Sequence, residues 1–186
     1  MLCGALIVAG ALCANHGVAG EDESRTLFAE GRKLRMAGNC PDAIVAFRRA
    51  HEAWPEGLGS LRNIAECQQE LGLLASARRS WWSLRREVLR LQQEKYAGWV
   101  EDAERAHAAL EERVPRLTVV VRGAPVEHFA VEIDGEALEP GLLGVAVEQD
   151  IGTHAVVVTR GSEVLARREI TLAAGDQQEA TFAIEP

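Results

Sequence analysis

Residues 24–57, SRTLFAEGRKLRMAGNCPDAIVAFRRAHEAWPEG, run directly into residues 58–91, LGSLRNIAECQQELGLLASARRSWWSLRREVLRL, and the two stretches carry one pattern at an offset of 34. Ala43, Phe47 and Ala50 return as Ala77, Trp81 and Leu84, while Leu27, Gly31 and Gly38 return as Leu61, Ala65 and Gly72. A small, an aromatic and a small-or-apolar residue at fixed spacing mark a unit that buries one side and repeats. That is the pattern of stacked helix-turn-helix pairs.

Apolar spacing and stop signals place the helices. The first is expected from about Ser24 to Ala37, with Leu27, Phe28, Gly31 and Leu34 inward, behind an acidic entry, Glu21 to Ser24, that suits the positive end of a helix dipole. Gly38-Asn39 stops it, and Pro41-Asp42 suits the first turn of the second helix, about Pro41 to Trp54. There Ala43, Ile44, Phe47, Ala50 and His51 form one stripe, which Pro55 and Gly57 end. The third helix, near Leu58 to Leu71, repeats the first, with Gly72 as its stop. The fourth should run from Leu74 to about Tyr96, because no proline stands where Pro55 ended the second. Glu101 to Arg113, within residues 98–114, reads as a fifth helix that caps the stack.

Pro115 marks a change of composition, since helices usually end before a proline. Leu117 to Arg122 is a β-branched run, and Phe129 to Ile133 alternates and ends at Asp134-Gly135, a tight-turn signal. Val145 to Val147, Thr153 to Thr159, Val164 to Leu172 and Glu179 to Ile184 follow as further strands, separated by loops at 141–144, 160–162 and 174–176. Six or seven short strands with no helix pattern between them predict a small antiparallel β-sandwich over residues 116–186. The expected fold class is α+β in two domains, helical hairpins over residues 21–114 and then the sandwich.

Leu27, Gly31, Leu34, Ala43, Phe47, Ala50 and Pro55, and in the second copy Leu61, Ile64, Ala65, Ala77, Trp81 and Leu84, resemble the tetratricopeptide repeat (TPR) pattern over about 66 of the 186 residues. The resemblance implies a superhelix of paired helices whose first members line a concave surface that holds a peptide or protein. Carried over by position, the ligand-facing places fall on Arg25, Phe28, Arg32, Arg35, Arg62, Asn63, Glu66 and Gln69. Four of these are arginines, whose guanidinium forks suit a carboxylate or an acidic peptide. In the β half, Ile133-Asp134-Gly135, Ile151-Gly152-Thr153-His154-Ala155-Val156 and Ala174-Gly175-Asp176 resemble the PEGA type of surface-associated β domain in turn placement. A helical repeat ahead of such a domain resembles a group of bacterial envelope proteins, which implies binding or scaffolding.

The formal charge of −8 argues against a nucleic-acid backbone as the main partner. Leu2 to Ala14 is an uncharged apolar run, followed by small residues to Gly20 and then acids, the order of a signal peptide over residues 1–20. The run is short for a stable membrane span, so the expected location is the periplasm or the exterior, as a cell-envelope or secreted protein. Removing the leader leaves Cys40 and Cys67, either a disulfide in an oxidising compartment or two ordinary buried thiols.

No catalytic, cofactor-binding or metal-ligating set is expected. His51, His107, His128 and His154 have no His or Cys partner at helical spacing, and no phosphate loop or nucleophile elbow appears. The arginines 78, 79, 85, 86 and 90 around Trp81 and Trp82 read as a solvated face with one tryptophan buried. The expected function is a non-enzymatic interaction or scaffold protein binding an unidentified protein or acidic peptide. The rivals are an envelope hydrolase or carbohydrate-binding protein using the β half, and a structural subunit that forms a homo-oligomer through the incomplete end of the helical stack.

Overall fold

A computed structural model describes residues 15–185, with side chains from Gly20 onward. Most of the expected leader therefore lies outside the described residues. The fold is α+β, with helices α1 (Asn15–Met36), α2 (Cys40–Ala53), α3 (Gly59–Glu70), α4 (Leu74–Leu91) and α5 (Trp99–Ala109) preceding two β-sheets. Among the described residues no helix is long and apolar enough to cross a membrane. The described residues divide into two compact units, one up to Ile64 and one from Ala65, and the division falls inside α3.

In the first unit α1 and α2 pack antiparallel. Ser24 Oγ donates to Ala50 O at 2.7 Å near one end, and the rings of Phe28 and Phe47 meet at 5.5 Å further along. Gly31, Ala43, Phe47 and Ala50 are all buried. The first helix begins at Asn15, well before the expected Ser24. The reason is visible in its acids: Glu21 and Asp22 pair with Arg25 at one-turn spacing, 2.7 and 3.3 Å, so they support the interior of a helix rather than its start.

The two helix stops that lie 34 residues apart share one backbone geometry. Gly38 and Gly72 both stand at φ +76°. Asn39 N donates to Leu34 O and, 34 positions on, Leu73 N donates to Gln68 O, each at 2.9 Å. A left-handed residue with these bonds closes a helix by satisfying its last carbonyls. The caps of the following helices differ. Asn39 accepts a bond from Asp42 N at the start of α2, whereas Leu73, its counterpart before α4, offers no side-chain bond.

In the second unit α4 ends at Leu91, short of the expected Tyr96. Gln92 turns left-handed at φ 51°, and a 3-10 turn at Glu94–Tyr96 follows. Tyr96 is buried and stacks on Trp99, 5.0 Å between rings, which redirects the chain into α5. Helices α4 and α5 then meet along a polar seam. Trp82 lies against His107 and Arg85 pairs with Glu104, so steps up α4 match steps down α5, and Arg78 pairs with Glu111 in the turn just past α5.

The strands are β1 (Arg116–Arg122), β2 (Ala130–Ile133), β3 (Glu136–Ala137), β4 (Ala146–Glu148), β5 (Gly152–Arg160), β6 (Glu163–Leu172) and β7 (Gln177–Ala183). One sheet is ordered β4-β1-β7 and the other β3-β2-β5-β6. Leu117, Val119, Ala180 and Phe182 from the first share a core with Val131, Ile133, Val156, Val158, Ile170 and Leu172 from the second. The expectation of a wholly antiparallel sandwich is corrected, because β1 and β7 pair in parallel from Arg116↔Gln177 to Arg122↔Ala183. Parallel neighbours require a long crossover, and here the intervening strands supply it. Asp134 and Gly135 both have positive φ, the condition for a two-residue hairpin turn between β2 and β3.

Secondary structure switches at Pro115 as expected, but α4 and α5 belong to the same compact unit as the sheets. The physical reason is a set of polar ties. The Asp150 carboxylate accepts from Ser76 N at 2.9 Å and Ser76 Oγ at 2.6 Å, Ile151 N donates to Gly72 O, and Arg78 pairs with Glu148.

Candidate functional site

Six of the eight positions expected to face a ligand lie in the first unit, on α1 and the first turns of α3. Phe28 is half-buried on Phe47. It also lies close under Gly59, where an added methyl would meet its ring at 3.3 Å. Arg35 donates from Nη1 to Asn63 Oδ1 at 3.0 Å, and Asn63 in turn donates from Nδ2 to Gly59 O at 2.8 Å. Phe28, Arg35 and Asn63 thus share the face where α1 meets α3. Arg32 is exposed and Arg62 half-buried. Arg25 is exposed and bound to Glu21 and Asp22 of its own helix.

The remaining two positions belong to the second unit. Glu66 is half-buried, and the Gln69 side-chain carbonyl accepts from Trp81 Nε1 at 2.6 Å. That bond satisfies the one polar atom of a buried indole. Cys40 and Cys67 are buried thiols, and the candidate disulfide between them is not formed in the structure.

The arginine-rich face of α4 departs from the simple solvated reading. Trp81 is buried as expected, but Arg78 is drawn in to 15% side-chain exposure between Glu111 and Glu148. Arg116 joins the same carboxylates, 2.8 Å from Glu111 and 3.6 Å from Glu148, so two cations and two anions balance. Trp82 remains 49% exposed. Its ring lies 5.2 Å from that of His107 and 4.8 Å from the Arg85 guanidinium. Burial, then the positive charge of Arg78, holds the His107 pKa below its ordinary value, against a smaller upward pull from Glu111 and Glu148. Trp99 is half-buried on Tyr96.

His154 is only 8% exposed. Its Nδ1 lies 2.6 Å from the Asp134 carboxylate and its Nε2 2.8 Å from the Asp150 carbonyl. Both ring nitrogens thus face acceptor oxygens. Burial alone would raise the Asp134 pKa, but the Ala155 N–H and the His154 ring outweigh it and hold the carboxyl below its usual range. The histidine thereby ties the β2–β3 turn to the loop that carries Asp150. Its role is positional. The spacing Asp150-x-Gly152-x-His154 was the available sequence signal, legible only with the knowledge that α4 lacked a local cap.

No protein-family model matches this chain, and no curated protein matches it in sequence.

Proposed function

We propose that this chain is an exported, non-enzymatic binding module, in which two tetratricopeptide-like helix pairs precede a PEGA-like β region and the α1–α3 face takes an acidic segment of a partner protein. The observation that carries the reading is the Arg35–Asn63–Gly59 chain of hydrogen bonds beside Phe28. It holds one guanidinium on the face that also carries the Phe28 ring, and Arg32 and Arg62 add positive charge on the same helices. A positioned cation beside an aromatic anchor is the composition of protein interaction sites. The matching backbone at Gly38 and Gly72 supports the repeat character, and the order of residues 1–20 supports export.

The test is covalent crosslinking of the full chain in envelope fractions, followed by identification of what is captured. Arg32→Glu together with Arg62→Glu should lower recovery of an acidic partner by roughly tenfold, through like-charge repulsion and lost attraction. Recovery equal to that of the unaltered chain would remove this face from the interaction.

A further inference from the structure

Arg78, Arg79, Trp82 and Ser83 from α4, His107 from α5 and Glu148 from β4 line an open pocket of about 390 Å³ within the second unit. Its size falls at the lower end of the range for pockets that take small ligands or single side chains, about 300–1,000 Å³. The charges of its wall are unequal. Arg78 is neutralised by Glu111 and Glu148, which also hold Arg116, and Arg85 is paired with Glu104. Arg79 is exposed and makes no direct ion pair among the described residues; it donates to the Ser76 hydroxyl at 3.0 Å, which in turn donates to the Asp150 carboxylate. Burial and the neighbouring Arg78 favour the neutral form of His107. Of the pocket's charged lining, Arg79 is thus the exposed guanidinium left without a direct carboxylate partner, beside the half-exposed indole of Trp82.

A cationic ligand is disfavoured on both counts, because Arg79 repels it and Arg85 already lies over the indole. A simple anion would leave the indole's apolar surface in water. The group that satisfies both features is an aromatic ring carried next to a carboxylate. We propose that this pocket is a second contact site, which seats an aromatic side chain of an acidic peptide segment against Trp82 while the neighbouring Asp or Glu pairs with Arg79. The assignment does not rest on the α1–α3 face, since every residue involved belongs to the other compact unit.

The test uses the full chain labelled with ¹⁵N and three blocked dipeptides: acetyl-Glu-Phe-amide, acetyl-Gln-Phe-amide and acetyl-Glu-Ala-amide. Titration with acetyl-Glu-Phe-amide should move the signals of Arg79, Trp82, Ser83 and His107, with saturation at millimolar concentration. Loss of either the carboxylate or the ring should weaken binding roughly tenfold, the scale of one charge-assisted hydrogen bond or one buried aromatic contact. Arg79→Ala, at an exposed position that leaves the fold intact, should erase the preference for Glu over Gln, and Trp82→Leu should erase that for Phe over Ala. Equal binding of the three dipeptides, an unaltered preference in Arg79→Ala, or the absence of shifts at these residues would overturn the assignment.

Discussion

Gly31 has no space for a side chain. A methyl built there would lie 2.6 Å from Cε1 of Phe47, a ring that is fully buried and cannot swing aside. Two effects oppose each other in Gly31→Ala: a helix gains up to about 1 kcal/mol from alanine, while overpacking a tight core costs about 1–3 kcal/mol. The clash should win, lowering stability by about 1–2 kcal/mol in urea denaturation. An unchanged or higher midpoint would show that Phe47 relocates freely. His107 gives a pH signature of definite sign. Its neutral form is favoured in the folded state, so the unfolded chain binds the proton more readily just below pH 6.5. Any contribution from this residue is therefore absent above that pH, grows as destabilisation while pH falls from about 6.5 toward the lowered folded-state value, and levels off below it. Melting curves of His107→Gln should lose that part of the slope between neutral and mildly acidic pH; identical slopes would contradict the linkage.

Helix α4 shows how one element is completed by another. Its counterpart α2 starts with Asn39 accepting from Asp42 N. At the same repeat offset the N–H of Ser76 donates to the carboxylate of Asp150, a residue of the β region. Removal of a cap typically costs about 1 kcal/mol and frays the first turn. Asp150→Ala should therefore speed amide exchange at Ser76 well beyond that at mid-helix residues such as Leu84, with Asp150→Asn closer to the unaltered chain. Uniform exchange rates along α4 would show that water replaces the carboxylate without loss. The starts and stops of elements were legible where the signal is local: Gly38, Gly72, Pro115 and Asp134-Gly135 fall at the ends they predict. They were illegible where the partner is remote. Gln92 carries no mark of a left-handed stop, and the acids at 21–23 read as a helix entry although they lie inside α1.

For the whole molecule, period and composition were enough to place helices before strands, since each copy of the repeat hides the same small and aromatic residues and each strand alternates into a common core. The pairing of β1 with β7 and the grouping of α4 and α5 with the sheets were hidden, because both depend on contacts between positions about 60–75 residues apart. No periodicity encodes such contacts. Of the candidate face, the α1 and α3 positions could be read from repeat offset, whereas the pocket at Trp82 depends on α5 and β4 arriving beside α4. The parallel register of β1 and β7 also constrains the order of events during synthesis. The strand that emerges first in the β region has to wait, one long edge uncovered, until Phe182 and its neighbours leave the ribosome some sixty residues later. Assembly of that core consequently waits for residues 177–183, and a nascent chain stalled before residue 177 carries an open sheet edge that a chaperone or a second copy could occupy.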